Sequence, residues 1–198
     1  MMRRTIVTVV CLLAAITVNA ATLKMPEAPK IELENIGEIE LPLALNAGLF
    51  IPEDVATAEH VVKTSPFDKI KYPVGPYTAE LFTANLPQVF AKVTKVDGPT
   101  AADVDVVVEV EIVRFEATIP HPAYNPYTAT AVYKVTVRDP AGETLIVQTV
   151  TGDGQTSKGM MSGFSAKGLA AESAVRAMND AAKQALEALA EAPELTAE

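Results

Sequence analysis

Three consecutive segments in the second half of the chain alternate between apolar and polar residues. They cover residues 106–113, 131–138 and 143–151. A period of two is typical of strands that have one buried face and one wet face. The turn sequence Asp139-Pro140-Ala141-Gly142 separates the second segment from the third, and its residue types favour a tight reversal. The pattern therefore predicts an antiparallel meander of three strands.

Two other segments carry apolar residues at helical spacing. The first begins at the helix-start signal Gly75-Pro76 and continues as an apolar stripe made of Leu81, Phe82, Leu86, Val89, Phe90 and Val93. Pro87 lies inside this stripe and is expected to kink or split the helix. The second segment, residues 169–192, is an alanine-rich helix that Pro193 ends. Its predicted buried side consists of Ala171, Val175, Met178, Ala182, Ala185 and Leu189.

The remaining segments complete the predicted order of elements. Residues 41–51 are predicted to form the first strand, and residues 52–74 are expected to form a long connection with a short strand around Val61. Residues 152–168 are predicted to be a glycine-rich loop. The order β-α-β-β-β-α predicts an α+β fold, a two-layer sandwich of an antiparallel meander sheet with two helices on one face.

Domain boundaries follow from the same pattern. Residues 41–192 are expected to form a single α+β domain, preceded by a flexible linker over residues 21–40 that contains Pro26 and Pro29. Residues 193–198 are expected to be a frayed C-terminus.

The first twenty residues have the pattern of an export signal. Arg3 and Arg4 precede an apolar run that is too short for a stable membrane anchor, and Val18-Asn19-Ala20 offers a cleavage site. Residues 1–20 are therefore predicted to be a signal peptide, with a mature protein that begins near Ala21. The expected location is the periplasm, with association to the outer membrane as an option.

Cys11 offers an alternative to simple cleavage. A lipoprotein carries a lipid on a cysteine that follows a lipobox, and the residues before Cys11 are Thr8-Val9-Val10. A lipobox has a small residue directly before the cysteine, and here the apolar run continues past it. We favour a passive leader cysteine and keep lipidation as the alternative. Since Cys11 is the single cysteine of the chain, the mature protein is predicted to lack disulfides.

The formal charge of −9 argues against binding to nucleic acid or to anionic lipid surfaces, because like charges repel. Removal of a leader that contains two arginines and no acid makes the mature chain more acidic still. Beyond the leader, no apolar stretch approaches the roughly 20 residues of a membrane helix.

Candidate chemistry is sparse, so we predict no catalytic, cofactor-binding or metal-binding residue. His60 and His121 lack partners at metal-ligand spacing and are interpreted as surface or loop histidines. Glu109 and Glu111 share a strand face and could serve acid–base chemistry or hold calcium; the alternative is a wet face with Lys134 opposite. The glycine-rich loop lacks the spacing of a phosphate loop.

Two apolar or aromatic segments are candidates for contact with a partner. Three prolines stiffen the loop that carries Tyr124 and Tyr127, and tyrosine on a stiff loop is common at interfaces. Met160, Met161 and Phe164 place apolar side chains in the glycine-rich loop. The alternative is that all five side chains fold back over an open end of the sheet.

The mature chain resembles the YajG-type and related uncharacterised lipoproteins of the Gram-negative envelope. The resemblance covers roughly residues 40–190 and depends on the element order together with four segments, LFTANLPQVFAKV, DVDVVVEVEIVRFE, NPYTATAVYKVTVRDPAGE and AAESAVRAMNDAAKQAL. It implies a small α+β sandwich that faces the periplasm. It carries over no catalytic residues, and this chain departs from the family in its lipobox.

Three functional hypotheses follow. The leading one is a non-enzymatic periplasmic or outer-membrane-associated protein that binds another envelope component, with an envelope protein as the expected partner, or assembles into an envelope complex. The second is a carrier of a lipid or small hydrophobic ligand, held in a pocket between the helix at Pro87 and the sheet. The third and weakest is an enzyme that uses Glu109, Glu111 or His121.

Overall fold

A five-stranded sheet and a three-stranded sheet contain the strands of the described residues. The computed structural model describes residues 20–33, 41–65, 68–120, 126–157 and 165–196. The strands are β1 (Ala20–Thr22), β2 (Leu43–Phe50), β3 (His60–Ser65), β4 (Asp68–Tyr72), β5 (Phe90–Lys95), β6 (Val106–Thr118), β7 (Tyr127–Arg138) and β8 (Thr144–Thr156). The helices are α1 (Glu53–Ala56), α2 (Val74–Asn85), α3 (Ala166–Ala190) and α4 (Pro193–Thr196).

The antiparallel meander is present as β6, β7 and β8, in the large sheet of order β5-β2-β6-β7-β8. Strand β2 enters this sheet parallel to both β5 and β6. The α+β fold class is therefore confirmed. The element order is richer than predicted, since the small sheet, β5 and two short helices were not foreseen apart from the strand around Val61.

Tyr133 of β7 shows that α2 and α3 lie on the same face of the large sheet. Its ring meets Phe82 of α2 edge-on, with ring centroids 5.3 Å apart. Its hydroxyl lies 2.9 Å from the Thr78 Oγ1 atom. Tyr77 of α2 in turn donates to the Asn179 Oδ1 atom of α3 over 3.0 Å. Full burial raises the pKa of Tyr133, so the phenol stays neutral in this core.

The start of the predicted glycine-rich loop is strand. Residues 152–156 complete β8, and α3 lies directly on this part of the strand. A Cβ atom at Gly152 would collide with the backbone of Ala177 and Ala181, and one at Gly154 with the backbone of Ser173 and Ala177. These glycines therefore permit a close helix approach, and they do not mark a loop.

Pro87 ends the first predicted helix early. Helix α2 stops at Asn85 and a single 3-10 turn covers Leu86–Gln88, after which the chain enters β5. Proline has no N–H for the helical ladder and crowds the preceding turn. The later part of the predicted helical stripe therefore belongs to a strand, in which Phe90 pairs with Leu43 of β2.

The described part of the predicted linker packs on the domain. Strand β1 pairs with β4 in parallel, and Leu23 and Ile31 are buried. The Asn85 side chain accepts from the Ile31 N–H over 2.7 Å and donates to the Pro29 carbonyl over 3.0 Å. Residues 21–33 of the predicted linker therefore pack on the domain, while residues 34–40 lie outside the described residues.

The C-terminal residues are also better ordered than their composition indicates. Residues Pro193–Thr196 form α4, and Leu195 of this turn is buried in the core. The predicted frayed end therefore contains one apolar side chain that ties it to the domain. Residues 197 and 198 lie outside the described residues.

Candidate functional site

The two glutamates of the meander form ion pairs across strands. The Lys134 Nζ atom lies 2.7 Å from the Glu111 Oε2 atom, and the Arg138 guanidinium lies 3.1 Å from the Glu109 Oε2 atom. Both cations come from β7. Lys134 lies directly opposite Glu111 in the register, and Arg138 lies two residues beyond Thr136, which is opposite Glu109. The partly exposed Glu111–Lys134 pair thus follows the alternative of a wet, ion-paired face. The Glu109 side chain is also ion-paired but is only 14% exposed.

His60 lies on β3 and packs into an aromatic cluster. Its ring centroid is 5.2 Å from that of Phe115 and 6.3 Å from that of Tyr72. Burial lowers the pKa of His60, and the nearby charge of Glu116 opposes part of that change. The predicted surface histidine is therefore half-buried, while His121 lies outside the described residues. Across the described ranges, no three His, Cys, Asp or Glu side chains are grouped as metal ligands.

Of the five predicted partner contacts, one is described. Tyr127 begins β7 and is only 3% exposed. Its ring belongs to the core, as the fold-back alternative requires, so we correct its assignment as a surface contact. Tyr124, Met160, Met161 and Phe164 lie outside the described residues and stay predictions.

Strand β8 is an edge of the large sheet, and α3 covers one half of that edge. Three side chains of α3 bind main-chain groups of β8. Arg176 donates to the Gln155 carbonyl over 3.0 Å, Asp180 accepts from the Asp153 N–H over 3.1 Å, and Gln184 donates to the Thr151 carbonyl over 2.9 Å. The odd-numbered residues of β8 therefore direct their main-chain groups away from β7.

The spacing of this row has a geometric reason. Four helical residues rise about 6.0 Å, and two residues of an antiparallel strand rise about 6.8 Å. Each step of four along α3 thus matches one odd-numbered residue of β8. The next step after Gln184 reaches Ala188, whose methyl group can neither donate nor accept a hydrogen bond.

We call the α3 side chains that bind the edge of β8 caps. The row of caps, Arg176, Asp180 and Gln184, therefore ends before the strand does. Register between β7 and β8 runs without a break from Thr156 to Ile146, so Val147 and Thr149 also direct their N–H and C=O groups to the open edge. Among the described residues, none forms a hydrogen bond with these edge-facing groups. Leu145 and Val147 are also exposed, at 39% and 53%.

A groove of about 450 Å³ lies beside this uncapped segment. We call it the edge groove. On the strand side it is lined by Leu145 to Gln148, and on the helix side by Ala188, Glu191, Ala192, Pro193 and Glu194. Glu191 and Glu194 are exposed and form no ion pair with another described residue. The edge groove thus combines open main-chain groups, exposed aliphatic side chains and negative charge.

A second groove of about 340 Å³ is apolar. We call it the Met25 groove. It is lined by residues 24–26 of the N-terminal segment and by Gly168, Ala171, Glu172 and Val175 of α3. The pocket that the sequence predicted near Pro87 is filled with packed side chains, since Leu86, Val89 and Phe90 are fully buried. The apolar space is therefore lined by other residues than those predicted.

Neither groove was identified from the sequence. The signal for the edge groove is present, because Arg176, Asp180 and Gln184 form an i, i+4 row of polar residues that ends at Ala188. That row identifies the open part of the strand edge only once β8 is known to run alongside α3.

Comparisons with known proteins find distantly similar solved structures and no sequence match. No protein-family model matches the chain, and no curated protein sequence matches it significantly. Among solved structures, a Xanthomonas campestris protein of DUF330 is 12% identical, with 87% of this chain and 93% of that chain covered at a TM-score of 0.48. A minor lipoprotein of Acinetobacter baumannii is 10% identical, with 73% and 90% covered at a TM-score of 0.41.

A hypothetical protein of Chlamydia trachomatis is 11% identical, with 74% of this chain and 98% of that chain covered at a TM-score of 0.39. None of these three proteins is described as a YajG protein. Because all three TM-scores lie below 0.5, we base no functional assignment on them. Within the described residues, no helix is both long enough and apolar enough to cross a membrane.

Proposed function

We propose that this chain is an exported, non-enzymatic protein of the bacterial envelope that binds another protein through the edge groove. The observation that carries the proposal is the uncapped main chain of Val147 and Thr149, beside exposed aliphatic side chains. The leader pattern of residues 1–20 supports the export step.

An open strand edge invites pairing with another chain, and proteins normally blunt such edges. In this protein three α3 side chains blunt the edge between Thr151 and Gln155, and the protection stops at Ala188. An extended segment can add to the remaining edge, because main-chain hydrogen bonds provide affinity and alternate side chains provide specificity.

The test is site-specific photocrosslinking in the cells that produce the protein. A photoreactive residue at Val147 is expected to give a discrete adduct with a different protein. Val113 is the matched control, because it is an aliphatic residue of β6 that is 60% exposed and lies two strands away. Ala188→Gln, which extends the row of caps by one side chain, is expected to remove the Val147 adduct.

Absence of an adduct at Val147, or equal adducts at Val147 and Val113, would overturn the proposed function. An adduct at Val147 that Ala188→Gln leaves unchanged would also overturn it, since contact would then not require the open main chain.

A second candidate function, the carriage of a small apolar ligand, is favoured by the Met25 groove. The groove volume lies at the low end for ligand sites, so it suits one short acyl segment or a small apolar molecule. Native mass spectrometry of the exported protein is expected to show a bound molecule that Val175→Phe displaces. A mass equal to that of the bare polypeptide in both proteins would end this candidate.

A further inference from the structure

We infer that the edge groove binds an extended, basic segment of a different protein, with basic and apolar residues in alternation. This inference rests on the proposed function and specifies its partner. It follows from the charge around the open edge, from the direction of β8 side chains and from the acidity of the chain.

The helix side of the groove favours a cation. Glu191 and Glu194 line it, and α3 ends beside it at Ala190 with no basic residue in its last turn. The carbonyl end of a helix carries a partial negative charge of about half an elementary charge. Both contributions attract a lysine or arginine side chain.

The strand side of the groove favours an apolar side chain. Side chains of an added strand alternate between the two faces of the sheet. Those on the helix face would approach Glu191 and Glu194. Those on the opposite face would lie beside Val147, which is 53% exposed, and Leu145 adds a second exposed aliphatic side chain at this end of the strand. The geometry therefore selects a segment whose residues alternate between basic and aliphatic.

A second copy of this chain does not meet these requirements. Pairing of β8 with β8 would bring two sets of Glu191 and Glu194 to one interface, between chains with a formal charge of −9 each. Like charges repel across such an interface. The matching occupant is thus a basic segment from another protein.

The experiment measures binding of fluorescein-labelled hexapeptides to the mature protein by fluorescence anisotropy. One peptide alternates lysine with valine, and a second alternates glutamate with valine. We expect the lysine peptide to bind and the glutamate peptide to bind at least tenfold more weakly. Higher salt is expected to weaken binding of the lysine peptide, because salt screens the attraction between solvent-exposed charges.

Two sets of variants separate charge from main-chain pairing. The double variant Glu191→Lys with Glu194→Lys is expected to lower the affinity for the lysine peptide at least tenfold. The matched control, Glu27→Lys with Glu32→Lys, changes the net charge by the same amount away from the groove, so its affinity should stay within about twofold of wild type. Ala188→Gln and Val147→Pro are each expected to lower the affinity for the lysine peptide about tenfold. Val147→Ala keeps the N–H group and is expected to lower this affinity far less. Circular dichroism and the urea midpoint verify that each variant is folded.

The outcomes distinguish this inference from the proposed function. If Ala188→Gln and Val147→Pro abolish binding while the charge reversal does not, the edge is a binding site and the basic partner is wrong. If the lysine peptide does not bind at all, the basic partner is also wrong, and the Val147 photocrosslink decides the proposed function. If the charge reversal abolishes binding and the two edge variants do not, both ideas fail. A concentration-dependent dimer that Ala188→Gln disrupts would replace the basic segment with a second copy.

Discussion

At the scale of single residues, Gly152 and Gly154 are required by the close approach of α3 along β8. Each takes a position in β8 where a side chain would enter the backbone of α3. Their contribution is space, since neither has a positive φ. The alanine-rich face of α3 complements them, because small residues on both sides allow the helix and strand to approach closely.

We predict that Gly154→Ala lowers the free energy of unfolding by about 3 kcal/mol, because an added methyl group forces backbone movement in a packed interface. Urea unfolding measures this change. The control is Gly98→Ala, where an added Cβ meets no atom within 4 Å, and we expect little change there. Equal stability of Gly154→Ala and wild type would contradict the close packing of α3 on β8.

His60 predicts a dependence of stability on pH. Burial against Phe115 and Tyr72 lowers the pKa of His60 in the folded protein below its ordinary value of 6.5. The unfolded chain therefore binds a proton at higher pH than the folded chain does. Stability due to this residue is present above pH 6.5 and is lost as pH falls through the lowered pKa.

Proton NMR titration checks this prediction directly, because the chain has only two histidines and His60→Gln assigns the resonances. We expect the His60 signal to titrate below 6.5. In Glu116→Gln it should titrate lower still, because the nearby carboxylate raises this pKa. A His60 signal that titrates at or above 6.5 would show that the ring is solvated.

At the scale of elements, Asn85 joins the N-terminal segment to α2. Its side chain makes four hydrogen bonds, with Ile31, Pro29, Leu81 and Gln88. It is only 1% exposed. Removal of a buried partner leaves the facing groups unsatisfied, so the Asn85 amide contributes to docking of the chain around Pro29 and Ile31.

We predict that Asn85→Ala lowers the free energy of unfolding by about 2 kcal/mol and exposes the segment around Ile31 to proteolysis. Hydrogen exchange at the Ile31 N–H reports the local effect. Gln88→Ala is the matched control, since it removes one of the four hydrogen bonds and leaves those to Ile31 and Pro29 intact. Unchanged protection of Ile31 in Asn85→Ala would contradict this role.

At the scale of the whole molecule, the predicted leader meets the fold at β1. Cleavage after Ala20 would keep the pairing of Ala21 with Ile70 and of Thr22 with Lys71. It would also keep the hydrogen bond from the Leu23 N–H to the Lys71 carbonyl, 2.9 Å long. The predicted mature chain therefore retains nearly all the contacts of the N-terminal strand.

We predict that intact mass measurement of the exported protein gives a chain that begins at Ala21, and that Cys11→Ser is processed in the same way. The physical reason is the uninterrupted apolar run around Cys11, which favours ordinary cleavage at Ala20. A mass that includes Cys11 and attached acyl chains would show lipidation in its place.

Local pattern determined most of the large sheet and the existence of both long helices. Strict alternation along β6 and β7, and helical spacing in α2 and α3, each reflect which neighbouring side chains must be buried together, and that information is short in range. The end of α2 near Pro87 could also be predicted, because proline disrupts a helix through its immediate neighbours. Outer-face ion pairing of Glu111 with Lys134 could also be predicted, because adjacent meander strands place them opposite each other.

Tertiary structure alone decided the rest, because it depends on pairs of residues far apart in the chain. The sequence around Gly152 and Gly154 is typical of a loop, and only the packing of α3 on these glycines shows a strand. Residues 21–33 have the composition of a linker, and only their contacts with β4 and Asn85 show that they pack on the domain. The polar row of Arg176, Asp180 and Gln184 indicates a covered strand edge only once β8 is known to lie beside it. The open main chain of Val147 and Thr149 is a property of that packing, since backbone groups are alike in every sequence and differ only in what covers them.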